Sequence, residues 1–254
     1  IIEKTTYQNY EIIMADNGST DPKMHELYAE FEKQLPGRFF VESIDIPFNF
    51  STINNRAAKK AHGEYLLFLN NDTEVITENW LTLMVSFAQQ ERIGCVGAKL
   101  LYPNNTVQHA GVILGLGGVA GHGHYGYPHG DLGYFGRLAI NVNYSAVTAA
   151  CLLMKKADFD AVGGFEEAFT VAFNDVDLCL KVQALGRDNV WLHEAELYHF
   201  ESQTRGYDDK GKKKKRFEQE KVMMEEKWGP LIENDPFYNP NLTRDIPNFS
   251  LRID

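Results

Sequence analysis

Tyr65-Leu66-Leu67-Phe68-Leu69-Asn70-Asn71-Asp72 decides how the rest of the chain is read. Five apolar residues run into a polar trio that ends in a carboxylate. A continuous apolar run of this length, with Gly63 just before it, predicts a strand buried on both faces. The chain leaves that strand at its C-terminal end, where open α/β sheets bind their ligands. Asn70, Asn71 and Asp72 offer hard oxygen donors of the kind that suit Mg²⁺ or Mn²⁺ and the phosphates such ions carry. The plain alternative is a polar turn closing a buried strand.

Working outward from that stretch, strands and helices alternate. Tyr10 to Ala15 reads as a short strand, followed by Asp16-Asn17-Gly18-Ser19-Thr20-Asp21. Asp21 can cap the next helix and Pro22 suits its first turn. Met24, Leu27, Tyr28, Phe31 and Leu35 recur at helical spacing up to Gly37. Phe39–Ile44 predicts a strand. A helix capped by Ser51 follows, with Ile53, Ala57, Ala58 and Ala61 inward. Thr77 opens a helix bearing Trp80, Leu81 and Met84, and Cys95–Ala98 predicts another strand. The natural packing of such an alternation is a doubly wound, mostly parallel sheet flanked by helices.

The character changes near residue 100. Gly111 to Gly136 is rich in glycine and holds His122, His124 and His129, without the acidic or thiol company a metal cluster needs; a lid over a ligand is the expectation there. Ser145–Lys155 predicts a strand with small side chains, and Gly163-Gly164-Phe165 a sharp turn. Phe173-Asn174-Asp175-Val176-Asp177 begins a helix, where carboxylates complement the dipole. Glu196–Phe200 is a strand that delivers His199 to its end. Five basic residues, Lys212 to Arg216, open a last helical stretch. A solvated helix start is the simple reading of that run; contact with phosphates or anionic headgroups is the other.

Bulk properties narrow the class. The chain has 254 residues, 44% hydrophobic, with a formal net charge of −10. That length can bury a sizeable core, and that charge argues against nonspecific nucleic-acid binding. Cys95, Cys151 and Cys179 are odd in number and widely spaced, and read as reduced core residues of a cytosolic protein. No run is long enough to span a bilayer. Ile1-Ile2-Glu3-Lys4 reads as the middle of a longer protein.

Six of these segments occur together in a known order: Asp16–Asp21, Leu69–Asp72, Thr148–Cys151, Val162–Phe165, Asn174–Asp177 and Tyr198–Phe200. The chain resembles the family 2 glycosyltransferases of the GT-A fold, nearest the bacterial rhamnosyltransferase-like branch, and the likeness extends to the tail at residues 235–241. The resemblance implies one GT-A domain over residues 1–254, with a nucleotide-binding half (1–100) and an acceptor and catalytic half (101–254). It implies that Asp16 holds the base or ribose of a nucleotide, with Asn55 nearby and Asn71 also on the donor. Asp72 would bind Mg²⁺ or Mn²⁺ bridging the donor diphosphate, with His199 as a second ligand. Asp175 would be the general base, and Arg205 would steady the departing diphosphate. The implied activity is inverting, metal-dependent transfer from a UDP- or dTDP-linked sugar to a glycan or lipid-linked hydroxyl, in bacterial cell-surface polysaccharide synthesis. It would take place in the cytoplasm, with peripheral association at the inner face of the membrane as an option. A non-catalytic nucleotide-sugar or glycan-binding module of the same fold is the alternative. Two departures from the family bear on this. Asn70-Asn71-Asp72 keeps one carboxylate where many relatives have two. The family's first strand, part of the nucleotide pocket, has no counterpart in the chain.

Overall fold

A computed structural model describes residues 1–201 and 211–253. The elements in chain order are β1 (Ile12–Asp16), α1 (Pro22–Gln34), β2 (Phe39–Ser43), α2 (Phe50–Ala58), β3 (Tyr65–Leu69), β4 (Thr73–Val75), α3 (Trp80–Ala88) and β5 (Ile93–Leu101). Then come β6 (Val107–His109), β7 (Val112–Leu114), β8 (Ala120–His122), β9 (Val142–Tyr144), β10 (Cys151–Lys155), α4 (Lys156–Ala161), α5 (Asn174–Ala184), β11 (Asp188–His199) and α6 (Gly211–Glu233).

The central sheet is mixed, in the order β3-β10-β5-β11-β4, with β6 on β5 and β9 on β11. β5 and β11 run parallel through its middle, and β10 lies antiparallel between β3 and β5. Every residue of β5 is buried, as a central strand covered on both faces requires. α3 packs Trp80, Met84 and Ala88, none of them solvent-exposed, on one face. The other face carries the larger cluster around Phe68, Phe165, Leu178 and Trp191.

β1 and β2 pair in parallel but form a sheet of their own. Among the described residues, β1 bonds to no strand but β2, and β3 to none but β10. Both β1 and β3 line one cleft of about 2330 Å³ along their full lengths. Ordinary small-ligand sites hold roughly 300–1,000 Å³. The excess volume is a slot between two strand edges, continuous with the space at the strands' C-terminal ends.

Several local expectations are revised. β3 is buried on alternate residues, Leu66 and Phe68, and not on both faces, because its far edge opens into the slot. Asn49, not Ser51, caps α2: its side chain accepts from Thr52 N, whereas Ser51 Oγ is buried and donates to Phe169 O at 2.6 Å. The two strands expected at 189–192 and 196–200 are one strand, β11, with a bulge between Leu192 and Glu196. Only Cys151–Lys155 of the expected 145–155 strand is extended in the sheet.

The glycine-rich segment 111–136 is anchored in its first half. β7 and β8 form a hairpin fastened to the C-terminal tail. Gly117 N donates to Arg244 O, His124 N to Pro247 O and Leu114 N to Asp235 Oδ2. Its three histidines are dispersed. His124 is buried, accepts from Tyr134 N and stacks on Phe249; burial pushes its imidazole down to about 4. His129 pairs with Glu196 at 2.8 Å. His122 faces His109. The three cysteines are free and buried. Among the described residues no helix is long and apolar enough to cross a membrane.

Candidate active site

β3 ends at Leu69, and the chain turns through Asn70–Asp72 into β4. β4 pairs antiparallel with the end of β11, Thr73 opposite His199, and Phe200 N donates to Asp72 O at 2.8 Å. This ladder brings Asp72 and His199 together: Nε2 of the imidazole lies 3.1 Å from Asp72 Oδ1.

Hydrogen bonds behind the imidazole fix its tautomer. Gln108 Nε2 donates to Glu201 Oε2 at 3.0 Å. An ionised carboxylate can only accept, so the amide NH₂ must face Glu201 and its oxygen must face His199. Gln108 Oε1 lies 2.7 Å from His199 Nδ1, which therefore carries the proton. Nε2 is thereby turned towards Asp72, with Asn70 Nδ2 at 3.2 Å. Such an outer hydrogen bond is what orients a metal-ligating histidine.

These residues fit a divalent cation. Asp72 Oδ1 is buried and has no hydrogen-bond partner among the described residues. It faces His199 Nε2 at 3.1 Å, so a proton or a cation belongs between the two. The imidazole beside it holds the Asp72 carboxyl below the usual carboxylate range, against the opposing effect of burial. Asp72 and His199 would hold such an ion between them, as a carboxylate oxygen and an imidazole nitrogen do. Among the described residues no group of three or more His, Cys, Asp and Glu converges on one point. An ion here would draw its remaining ligands from water and from a bound phosphate, as Mg²⁺-type sites do.

Asp175 stands across the cleft, in the first turn of α5. Its Oδ2 accepts from Ala149 N at 3.1 Å and Oδ1 from Val176 N at 2.8 Å. Asp177, two residues on, points the other way. It is fully buried, bonded to Lys227 Nζ at 2.6 Å and to Trp228 Nε1 at 2.8 Å, so it neither caps the helix nor meets solvent. The turn before Asp175 is fastened by Glu220 of α6, which accepts from Thr170 N, Thr170 Oγ1, Val171 N and Ala172 N at 2.7–3.1 Å.

The other expected residues divide. Asp16 ends β1, is buried, and lines the cleft; its Oδ1 accepts from Ser19 N at 3.1 Å. Asn71 is exposed at the same mouth. Asn55 is directed elsewhere: it clamps the backbone of Phe165 with two 2.9 Å bonds, and its neighbour Asn54 lines the cleft instead. Gly164 sits against this clamp at φ +71°, where a Cβ would come within 2.6 Å of Asn55 Oδ1, so the Gly-Gly-Phe turn serves the clamp. Arg205 lies outside the described residues. Gln108, Glu201 and Glu220 had not been singled out. The polar Gln108-His109 pair within the otherwise apolar Val107–Leu114 stretch is the one available signal.

The family model for glycosyl transferase family 2 matches residues 1–161, which is more than half of the chain. The chain belongs to glycosyl transferase family 2. Its similarity to curated proteins runs end to end. It is 49% identical over 252 residues to the uncharacterized protein y4gI of Sinorhizobium fredii, and 39% identical over 255 residues to the O-antigen biosynthesis protein RfbC of Myxococcus xanthus. Each alignment takes in 99% of this chain but only 28% and 19% of those proteins. The family 2 domain thus spans about a quarter or less of the length of the curated relatives it matches. Among solved structures it superposes on GalNAc-T7 with UDP, GalNAc and Mn²⁺ at a TM-score of 0.70 and 15% identity, covering 89% of this chain and 44% of that one. It superposes on the mannosyltransferase PcManGT of Pyrobaculum calidifontis, in complex with GDP-Man and Mn²⁺, at 0.62 and 16%, covering 89% and 57%. The fold is accordingly GT-A.

Proposed function

We propose that this family 2 domain transfers a sugar, with inversion, from a nucleoside diphosphate donor to a hydroxyl of a glycan or lipid-linked acceptor in cell-surface polysaccharide synthesis. One observation carries the reading. Asp72 and His199 turn a buried carboxylate oxygen and an oriented nitrogen to the same point, 3.1 Å apart, in a cleft that Asp175 also lines. A divalent ion held there would supply Lewis-acid stabilisation of charge on the leaving diphosphate. Asp16 contacts the nucleoside end of the donor, and Asn71 and Arg205 contact its phosphates. Asp175 takes the proton of the attacking hydroxyl, and a base without an enzyme nucleophile gives a single displacement at the anomeric carbon. GalNAc-T7 and PcManGT, both seen with Mn²⁺ and a nucleotide or nucleotide sugar, and the O-antigen protein RfbC support the same direction.

The slot between β1 and β3 favours one addition. The domain works within a longer protein, whose further residues supply a strand that pairs with both edges and completes the floor beside Asp16. The test is titration of the full-length protein with UDP-, dTDP- and GDP-sugars, with and without Mn²⁺, together with release of the nucleoside diphosphate. Mn²⁺-dependent binding and release, lost in Asp72→Ala, are expected. Binding without release, even when lipid-linked and glycan fractions are offered as acceptors, would support the non-catalytic module.

A further inference from the structure

The helix that carries Asp175 begins in an unusual way. Its cap is Phe173, at φ +61° and ψ 2°, in the left-handed region. A helix cap is ordinarily extended and polar, and its side chain takes the N–H of the second or third helical residue. Phenylalanine has no such group, and among the described residues no side chain caps α5 from this position. A left-handed backbone is also costly for a bulky residue, and such strain persists only where the surroundings over-determine it. Among the described residues five other than glycine have φ in this region, and of these only Phe173 adjoins residues that line the cleft.

Contacts on both sides hold the strained residue. Upstream, Glu220 binds the N–H groups of Thr170, Val171 and Ala172. Asn174, which is buried, donates from Nδ2 back to Val171 O at 2.9 Å and closes the turn around Phe173. The Phe173 ring packs on Phe217 of α6, with centroids 5.3 Å apart. Downstream, Phe173 O accepts from Asp177 N at 2.8 Å and so starts the helix. Because residue 173 offers no capping side chain, the third N–H of α5, that of Val176, is left to Asp175 Oδ1 at 2.8 Å, while Oδ2 takes Ala149 N at 3.1 Å. Each oxygen accepts one of these bonds and keeps a second lone pair, so the carboxylate is fixed in direction without being used up.

We propose that Phe173 is a positioning residue for Asp175: its left-handed backbone sets the direction of the first turn of α5 and so aims the carboxylate, while its ring on Phe217 serves stability. What Asp175 does once aimed rests on the transferase reading; the aiming itself does not. The test compares Phe173→Gly, Phe173→Ala and Phe173→Ile in the full-length protein, none of which brings a capping group. Glycine accepts a left-handed φ, alanine resists it and a β-branched residue resists it most. Hydrogen exchange of the segment 148–151 is followed by mass spectrometry, because the Ala149 N–H is released when Asp175 turns away. Exchange should be slowest in Phe173→Gly, at least about fivefold faster in Phe173→Ala and faster still in Phe173→Ile, since about 1 kcal/mol of backbone preference corresponds to that factor. The kcat for transfer should fall in the same order with donor KM unchanged. If the ring did the positioning, the order would be reversed, because isoleucine refills most of the vacated space. The reversed order, or equal exchange in all three, refutes the proposal. Should Phe173→Ile not fold, the other two decide, and Phe173→Ala exchanging no faster than Phe173→Gly is the refuting result. The expected exchange order in a protein whose wild type transfers no sugar would keep the positioning role and remove the transferase reading.

Discussion

Glu220 offers the sharpest test of how the site is assembled. It is 2% exposed and lies 45 residues beyond Asp175, yet it receives four hydrogen bonds from residues 170–172, just before α5. Oε1 takes three of them, and Oε2 takes Ala172 N at 2.9 Å. In Glu220→Gln the amide oxygen can keep the first three, but an NH₂ group then faces the Ala172 N–H. One half-buried donor goes unpaired and three charge-assisted bonds become neutral. An unsatisfied buried group costs about 1–3 kcal/mol, and losing the charge on an acceptor costs somewhat less. Water can reach part of this turn, so about 2 kcal/mol is expected for Gln and about 4 for Ala. For a domain of this size each kcal/mol lowers Tm by roughly 2–4 °C. Glu220→Gln should therefore melt about 4–8 °C below wild type by calorimetry, and Glu220→Ala about twice as far below. Below the melt, kcat for transfer should fall in Glu220→Gln while Mn²⁺ and donor affinity stay put, because only the turn leading to Asp175 is loosened. A Glu220→Gln protein that melts within about 1 °C of wild type would refute the reasoning.

Other substitutions separate the roles of the cleft residues. Asp175→Asn should lower kcat by roughly 10²–10⁴-fold, the usual contribution of a general base, with donor Kd unchanged by calorimetric titration. Asp177→Asn should act on stability instead: it takes a buried carboxylate from Lys227 and Lys181, and because Lys227 is 37% exposed the loss is about 1–2 kcal/mol, read as a drop of roughly 2–8 °C in melting temperature. Asp72 gives a pH signature. Its carboxyl is depressed in the fold, first by His199, so its stabilising contribution is present above the unfolded value of about 3.9 and is lost as pH falls through the lower folded value. Asp72→Asn should lower stability near neutrality and flatten the profile below about pH 4, where the wild type loses the same contribution, as thermal melts across pH would reveal. A longer protein that restores a strand beside β1 should melt higher than residues 1–254 alone and protect the amides of Ile12–Asp16 and Tyr65–Leu69 from hydrogen exchange.

What the sequence reveals here is what is local. Apolar runs ending in polar residues marked β3 and the end of β11, and so located Asp72 and His199. The dipeptide spacing of Asp175 and Asp177 placed them on different sides of α5. Long-range partnerships were not legible. Asn55 looked like a donor contact because nothing nearby shows that Phe165, 110 residues later, will occupy its amide. Gln108 and Glu201 acquire their role only when β6 and the end of β11 meet. The glycine-rich segment reads as a lid because glycine counts are visible in a sequence. The tail residues that fasten it, Arg244 and Pro247, lie more than a hundred positions away.

The pairing of β4 with the end of β11 has a consequence for how the protein forms. Asp72 and His199 are 127 positions apart, and they meet through a ladder of three residue pairs, Val75–Leu197 to Thr73–His199. Closing so long a loop is entropically slow and comes late. The unfolded chain therefore has no ion site to offer, and a nascent chain would acquire one only once residues past 199 had joined the sheet. Cation uptake would then mark the completion of folding. By mass action an ion at 100 times its Kd would hold the finished sheet closed by about 2.7 kcal/mol.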